Sequence, residues 1–210
     1  MVYLGRYRQP FKDDGVLLYM EFFVENGIAY TKIKGCKGTL NYNDVKYLCQ
    51  HAMTLGPGSR YVETGSYLGC SSLIIALHSN ATVWAHDVWV SDWSELKGGP
   101  PPEVKDYLYE FYKNVKENNL ENRIIPIRGD SAYTLGIHDD DSIDLAFIDG
   151  DHSYEGCLKD IRTIFPKMKK TGVILLHDCT PDSETLRALK DFTDDYEILP
   201  GTCGMARIVV

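Results

Sequence analysis

Five carboxylates sit at the ends of short apolar runs in the middle of this chain. They are Glu63 in "RYVETG", Asp87 in "TVWAHDVW", Asp130 in "RIIPIRGD", Asp149 in "SIDLAFIDG" and Asp178 in "GVILLHD". A charge at the end of a would-be buried strand costs folding energy unless something solvates or uses it. Asp also suits strand-to-helix turns and helix N-caps, which is enough to explain any one of the five. Five in succession point to a shared purpose, a negatively charged rim that takes cationic or hydroxyl-bearing ligands. The stretch "FIDGDHSYEG" (147–156) adds Asp151 and His152 beside Asp149. An imidazole with a pKa of about 6.5 can accept a hydroxyl proton near neutral pH. Asp151 either orients His152 or is simply solvated. His152 itself has a plainer reading, as a residue bonding local backbone before a Ser153 cap.

A rim requires strands that end together. Past residue 40 the chain alternates helix-like and strand-like segments: helix 40–55, strand 60–64, helix 70–79, strand 82–89, helix 102–119 with Pro102 near its first position, and strand 123–130. A fourth strand over 142–150, helix 154–169, strand 172–178 and helix 182–193 follow, and "YEILPG" and "GMARIVV" close the chain. Such alternation predicts a doubly wound, Rossmann-like α/β fold: a mostly parallel seven-stranded sheet with helices on both faces and an antiparallel C-terminal hairpin. Pro126 suggests an edge position for its strand. Lys167, Lys169 and Lys170 read as the basic end of a helix. In open parallel sheets ligands bind beyond the carboxyl ends of the strands, where the five carboxylates fall.

Residues 1–40 stand outside the alternation as an N-terminal extension or cap, and 41–210 form the single main domain. "GIAYTKIKG" reads as a strand or half a hairpin; the segment fits an edge cap, substrate enclosure or homo-oligomer contact equally. The loop over 89–102, with Trp89, Trp93 and three prolines, is placed to fold over the rim, or its tryptophans pack beneath it.

A net charge of −8 over 210 residues argues against a nucleic-acid partner, since phosphate backbones need clustered Lys and Arg. Six cysteines show no CxxC pair, and no long apolar segment suggests a leader or a membrane span. The expectation is a reduced, cytoplasmic protein.

The turn after the first strand is "ETGSYLG", with Gly65 and Gly69 but Tyr67 and Leu68 between them. A dinucleotide cradle needs more glycine than that, so a nicotinamide-dependent oxidoreductase is the weaker reading of this rim. Asp87 follows Gly65 by 22 residues, near the spacing of an acid that grips ribose hydroxyls. Together these suit an adenosine-containing ligand without phosphates.

In order, "VETGSYLGCSS", "AHDVW", "RGDSA", "LAFIDGDHSYEG" and "GVILLHD" resemble the motifs of class I S-adenosylmethionine-dependent methyltransferases. The likeness covers about 60–180 and is closest to small-molecule O-methyltransferases of the catechol and macrocin (sugar) types. It implies that Glu63, Gly65, Ser66, Tyr67, Gly69 and Ser71 hold the methionine half of the cofactor. It also implies that Asp87 holds the ribose, and that Asp130 and Ser131 flank the adenine; Asp149 lines the same site. It further implies a divalent cation, Mg²⁺ or another, on Asp149 and Asp178 with a third group beside them. Here the chain departs from its relatives: His177 and Cys179 flank Asp178 where they carry Glu or Asn. His177 is then the third ligand, and His152 falls where catechol-type enzymes carry their general base. The acceptor implied is a small hydroxylated molecule, with no membrane involved. The altered ligand set leaves a non-catalytic cofactor-binding domain as the rival from another class.

Overall fold

The computed structural model describes residues 2–7, 20–25, 28–33, 36–90 and 106–210. Near the amino end, β1 (Val2–Tyr7), β2 (Met20–Glu25), β3 (Ile28–Ile33) and β4 (Cys36–Gly38) form an antiparallel sheet in that order. Met20, Ile33 and Cys36 are buried in the same core as Val45 and Leu48 of α1 (Tyr42–Ala52). The Cys36 thiol donates to the Leu68 carbonyl at 3.2 Å, and a Cβ on Gly38 would stand 2.5 Å from Cys70 Cβ. The small sheet is thus docked against the turn that follows the next strand.

That strand, β5 (Arg60–Thr64), begins the alternation. It continues through α2 (Cys70–His78), β6 (Thr82–Asp87), α3 (Tyr107–Glu117), β7 (Ile124–Arg128) and the short α4 (Ser131–Thr134). Then come β8 (Ile143–Ile148), α5 (Tyr154–Ile164), β9 (Met168–Leu176), α6 (Glu184–Phe192), β10 (Glu197–Ile198) and β11 (Ala206–Val209). The seven strands lie in the order β10-β11-β9-β8-β5-β6-β7. From β9 to β7 they are parallel, while β11 runs antiparallel to both β9 and β10. This is the doubly wound sheet with a C-terminal hairpin that the alternation predicts.

Side chains alternate across the strands, as a pleat requires. Tyr61, Val83, Ala85, Leu145 and Phe147 join one buried layer with α1, α2 and α3. Val62, Ala146, Ile148, Ile174 and Leu176 join the other with α5 and α6. The chain winds from β5 outward to β7, then returns to place β8 on the other side of β5. Neighbouring connections therefore diverge at β5 and β8, the crevice where open parallel sheets hold ligands.

Three details differ from the sequence reading. The first is α3, which starts at Tyr107 rather than near Pro102: Asp106 is extended and caps it, accepting from the Tyr109 N–H at 2.9 Å. The second is α5, which ends at Ile164. Phe165–Lys167 is a 3-10 turn carrying Pro166, and Met168 is drawn into the sheet opposite Ile143. The third follows from it: Lys169 and Lys170 lie on β9, not at a helix end, and Lys169 pairs with Asp144 at 2.8 Å. Pro126 does sit on the edge strand, where a missing N–H costs little. The proposed lid, apart from Trp89, falls largely outside the described residues, Trp93 included.

Candidate active site

The turn after β5 is held by its neighbours on both sides. The Gly65 N–H donates to the His86 carbonyl at 2.9 Å, and the Asp149 N–H donates to the Thr64 carbonyl at 3.0 Å. Gly65 (φ +81°), Tyr67 (φ +48°) and Gly69 (φ +90°) all take the left-handed region, which suits glycine and strains tyrosine. What holds Tyr67 there is Asp87. Its carboxylate accepts the Tyr67 N–H at 2.8 Å and the Trp89 N–H at 2.7 Å, and the Trp89 indole donates to the Tyr67 carbonyl at 2.8 Å. Burial pushes the Asp87 carboxyl up from its ordinary value, against the pull of the Trp89, Tyr67 and Val88 amides. Asp87 therefore fixes the turn through the Tyr67 and Trp89 amides.

Glu63 lies beneath this surface rather than on it, 1% exposed. It accepts from the Tyr61 hydroxyl at 2.7 Å and from the Ser72 hydroxyl, and burial raises its pKa while hydroxyls of Ser72, Tyr61, Ser66 and Ser71 oppose that. Glu63, Ser66 and Ser71 thus buttress the turn from behind. Asp130 is exposed and caps α4 through the Ala132 N–H at 2.8 Å. The Ser131 hydroxyl is committed to Asp160 at 2.7 Å.

Beside this turn, two aspartates and two histidines converge. His152 Nε2 is 3.4 Å from Asp149 Oδ1, and its Nδ1 is 3.4 Å from Asp178 Oδ2. His177 Nδ1 is 3.2 Å from Asp149 Oδ1 and 3.4 Å from Asp178 Oδ1. Its Nε2 faces Asp44 Oδ2 at 3.5 Å, a charge contact too long for a firm hydrogen bond. Asp44 is anchored by the Asn41 N–H at 2.8 Å and the Cys203 N–H at 3.0 Å, so the start of α1 is moored to the C-terminal hairpin. Asp149, His152 and Asp178 offer ligand atoms that all lie within 4.8 Å of one another, with His177 packed behind them.

The charges reinforce one another. Burial would raise the Asp149 carboxyl, but His177 and His152 outweigh it and hold the group below the usual carboxylate range. Burial would lower His177, yet Asp149, Asp178 and Asp44 hold it well above the ordinary imidazole value. Asp149 likewise raises His152 against its desolvation. The His152 side chain is 54% exposed, so solvent weakens that effect. The rim thus carries a half-exposed imidazole beside two carboxylates.

Residues 62–179 match the family described as "Methyltransferase domain". The chain belongs to that family. It is a class I S-adenosylmethionine-dependent methyltransferase. No curated protein matches it. Among solved structures, a putative caffeoyl-CoA O-methyltransferase from Staphylococcus aureus superposes with a TM-score of 0.63 at 13% identity, covering 82% of this chain and 85% of its own. An O-methyltransferase from Bacillus cereus in complex with SAH gives 0.58 at 15% identity, covering 81% of each. A methyltransferase from Geobacter sulfurreducens gives 0.58 at 17%, covering 80% of this chain and 78% of its own. At these identities the likeness is one of fold. Among the described residues of this methyltransferase, no helix is long and apolar enough to cross a membrane.

Sequence reasoning missed several polar residues in and around the methyltransferase site. Asp44 reads as an ordinary helix-start acid, and only the docking of α1 carries it to His177. His86 and His138 lie 52 residues apart in sequence, with nothing there to pair them, and their Nε2 atoms are 2.9 Å apart. Asp160 left one signal: it falls within the apolar stripe Cys157, Leu158, Ile161, Ile164 of α5, where a carboxylate needs a reason.

Proposed function

We propose that this methyltransferase moves the methyl group of S-adenosylmethionine onto the hydroxyl oxygen of a small acceptor such as a sugar of a glycoside or a catechol-like ring. His152 takes the hydroxyl proton. The observation that carries this reading is the placement of His152 between Asp149 and Asp178, half-exposed, beside the Gly65 turn. Both carboxylates favour the imidazolium that forms when the proton arrives, while the new O–CH₃ bond replaces the S–CH₃ bond and S-adenosylhomocysteine departs. The cofactor's sulfonium and ammonium carry positive charge, and the carboxylates of this rim favour both. Asp87, held by two backbone amides, is oriented to meet ribose hydroxyls. Alignment of the acceptor oxygen with the methyl carbon carries much of the rate, being worth about 7–11 kcal/mol in model reactions.

The donor set also fits a divalent cation between Asp149 and Asp178, with an imidazole of His152 or His177 completing it. A bound cation would lower the pKa of the acceptor hydroxyl and orient it. Imidazole donors move such a site away from Mg²⁺, which prefers oxygen and water, toward first-row transition ions.

The test is methyl transfer from labelled S-adenosylmethionine to a panel of catechols and glycosides, with products mapped by mass spectrometry. The expected result is an O-methyl product. In His152→Ala, turnover falls about 10²–10⁴-fold while S-adenosylhomocysteine affinity is kept. An N-methyl product, or unchanged turnover in that variant, overturns the proposal.

A further inference from the structure

Asp160 has no part in the chemistry above, yet it is 1% exposed on the sheet-facing side of α5. Among the described residues no cation pairs with it, and the charges that act on it, Asp130 and Asp151, share its sign. Burial, ahead of those neighbours, pushes its pKa to about 6. A carboxylate kept in so unfavourable a place is held by what it does for its two hydroxyl neighbours.

One neighbour is Ser131, whose hydroxyl donates to Asp160 Oδ1 at 2.7 Å. The other is Thr64, whose hydroxyl acts on the same carboxyl and lowers its pKa. Thr64 Oγ1 and Asp160 Oδ2 are both fully buried, and neither has a hydrogen-bond partner within bonding geometry among the described residues. Each is the partner left for the other, and a small approach closes the bond: Thr64 donates to the carboxylate, or the protonated carboxyl donates to Thr64.

On the function proposed above, which this inference rests on, these hydroxyls mark the two cofactor turns. Thr64 ends β5, and Gly65 opens the turn on the methionine side. Ser131 opens α4 after Asp130, in the turn on the adenine side. The strands that carry them, β5 and β7, are not neighbours, because β6 lies between. At about 4.8 Å per strand the two turns stand roughly 10 Å apart, and no backbone ladder joins them directly. Asp160 reaches both from beneath.

We propose that Asp160 is a positioning residue for the cofactor, fixing the separation of the Thr64–Gly65 turn from the Asp130–Ser131 turn so that one ligand can engage both. It touches no reacting atom. The role requires two hydrogen-bonding oxygens more than a charge, so an amide of the same shape should serve: the Asn oxygen accepts from Ser131 while its NH₂ donates to Thr64.

Calorimetric titration of the full-length protein tests this, with S-adenosylhomocysteine as a probe spanning both turns and adenosine as a probe without the amino-acid half. Asp160→Ala is expected to weaken S-adenosylhomocysteine about tenfold, the scale of a lost hydrogen bond to a charged group, with adenosine affinity changed much less. Asp160→Asn restores wild-type affinity, and Asp160→Ala/Ser131→Ala is no weaker than Asp160→Ala alone. A purely structural role would lower the melting temperature and weaken both probes alike. If Asp160→Ala does not fold, Ser131→Ala and Thr64→Val each remove one contact and each should weaken S-adenosylhomocysteine selectively. Wild-type affinity in the folded alanine variant, an equal loss for both probes, or a folded Asn variant that fails to rescue overturns the assignment.

Discussion

Gly65 and Asp149 approach so closely that a Cβ on Gly65 would lie 2.0 Å from the Asp149 carbonyl oxygen. The turn after β5 and the strand end bearing Asp149 thus share one van der Waals surface, and only glycine permits it. Gly65 also holds φ +81°, where an L side chain costs about 1–2 kcal/mol before any clash.

Gly65→Ala should therefore do two things. It forces the β5 and β8 ends apart, lowering the melting temperature, and it moves Asp149 relative to the cofactor turn. S-adenosylhomocysteine affinity should fall at least tenfold, measured by calorimetry on protein shown to be folded by circular dichroism. Gly136 is the control, because a Cβ there would meet nothing within 4 Å and its φ is not positive. Gly136→Ala should leave both quantities unchanged.

A second expectation concerns the ion. Co²⁺ added to the protein should produce visible ligand-field bands, which an imidazole-containing site intensifies over the hexaaqua ion. About 100-fold excess Mg²⁺ should fail to abolish them. Asp149→Ala and Asp178→Ala should each remove the bands. Bands that persist in both variants would place any bound cobalt elsewhere.

The strand ends are legible because parallel alternation puts consecutive carboxyl termini on one rim, so Asp149 and Asp178, at the ends of adjacent β8 and β9, can be brought together without coordinates. His152 followed from its place three residues past Asp149. Asp44 could not be read this way. Its contact with His177 spans the chain and exists only because Asn41, Asn43 and Asp44 moor α1 to the 201–203 turn through Gly201 and Cys203. The pairing of β1 to β4 was hidden for a similar reason: the short aromatic runs of that region carry no element-length periodicity, and antiparallel partners are set by tertiary contact. Glu63 was placed correctly at its strand end, but the pleat turns its side chain inward to Tyr61 and Ser72.

Asp160 gives a pH signature of one sign. Its folded pKa of about 6 lies above the ordinary Asp value, so the folded state holds a proton that the unfolded chain has released. The contribution is full below the unfolded pKa of about 4 and is lost as pH rises through about 6, by at most about 3 kcal/mol. Asp160→Asn cannot titrate. Urea midpoints measured from about pH 4 to pH 7 should show the variant gaining on the wild type as pH rises, and a constant difference between them would refute the titration.

The histidine pair gives the opposite sign. His86 Nδ1 contacts the Thr134 hydroxyl at 2.9 Å and its Nε2 meets His138 Nε2 at 2.9 Å, a spacing that needs one ring to donate and the other to accept. Burial first, then His138, pushes His86 down to about 3; burial first, then Arg60 and Lys167, pushes His138 down to about 4, with Asp139 opposing. Two protonated rings would both be donors and would repel. The unfolded chain takes up protons near pH 6.5, so the pair's stabilisation is present above that value and is lost as pH falls toward 4. Replacing one partner by a non-titrating amide, His138→Gln, should flatten the acid limb of the stability curve between about pH 6.5 and pH 4, read as urea midpoints against wild type. His51, whose pKa is also lowered but which lies on α1, tests the specificity of the effect: His51→Gln should change the limb far less, and an equal flattening would move the origin of acid sensitivity away from the His86–His138 contact.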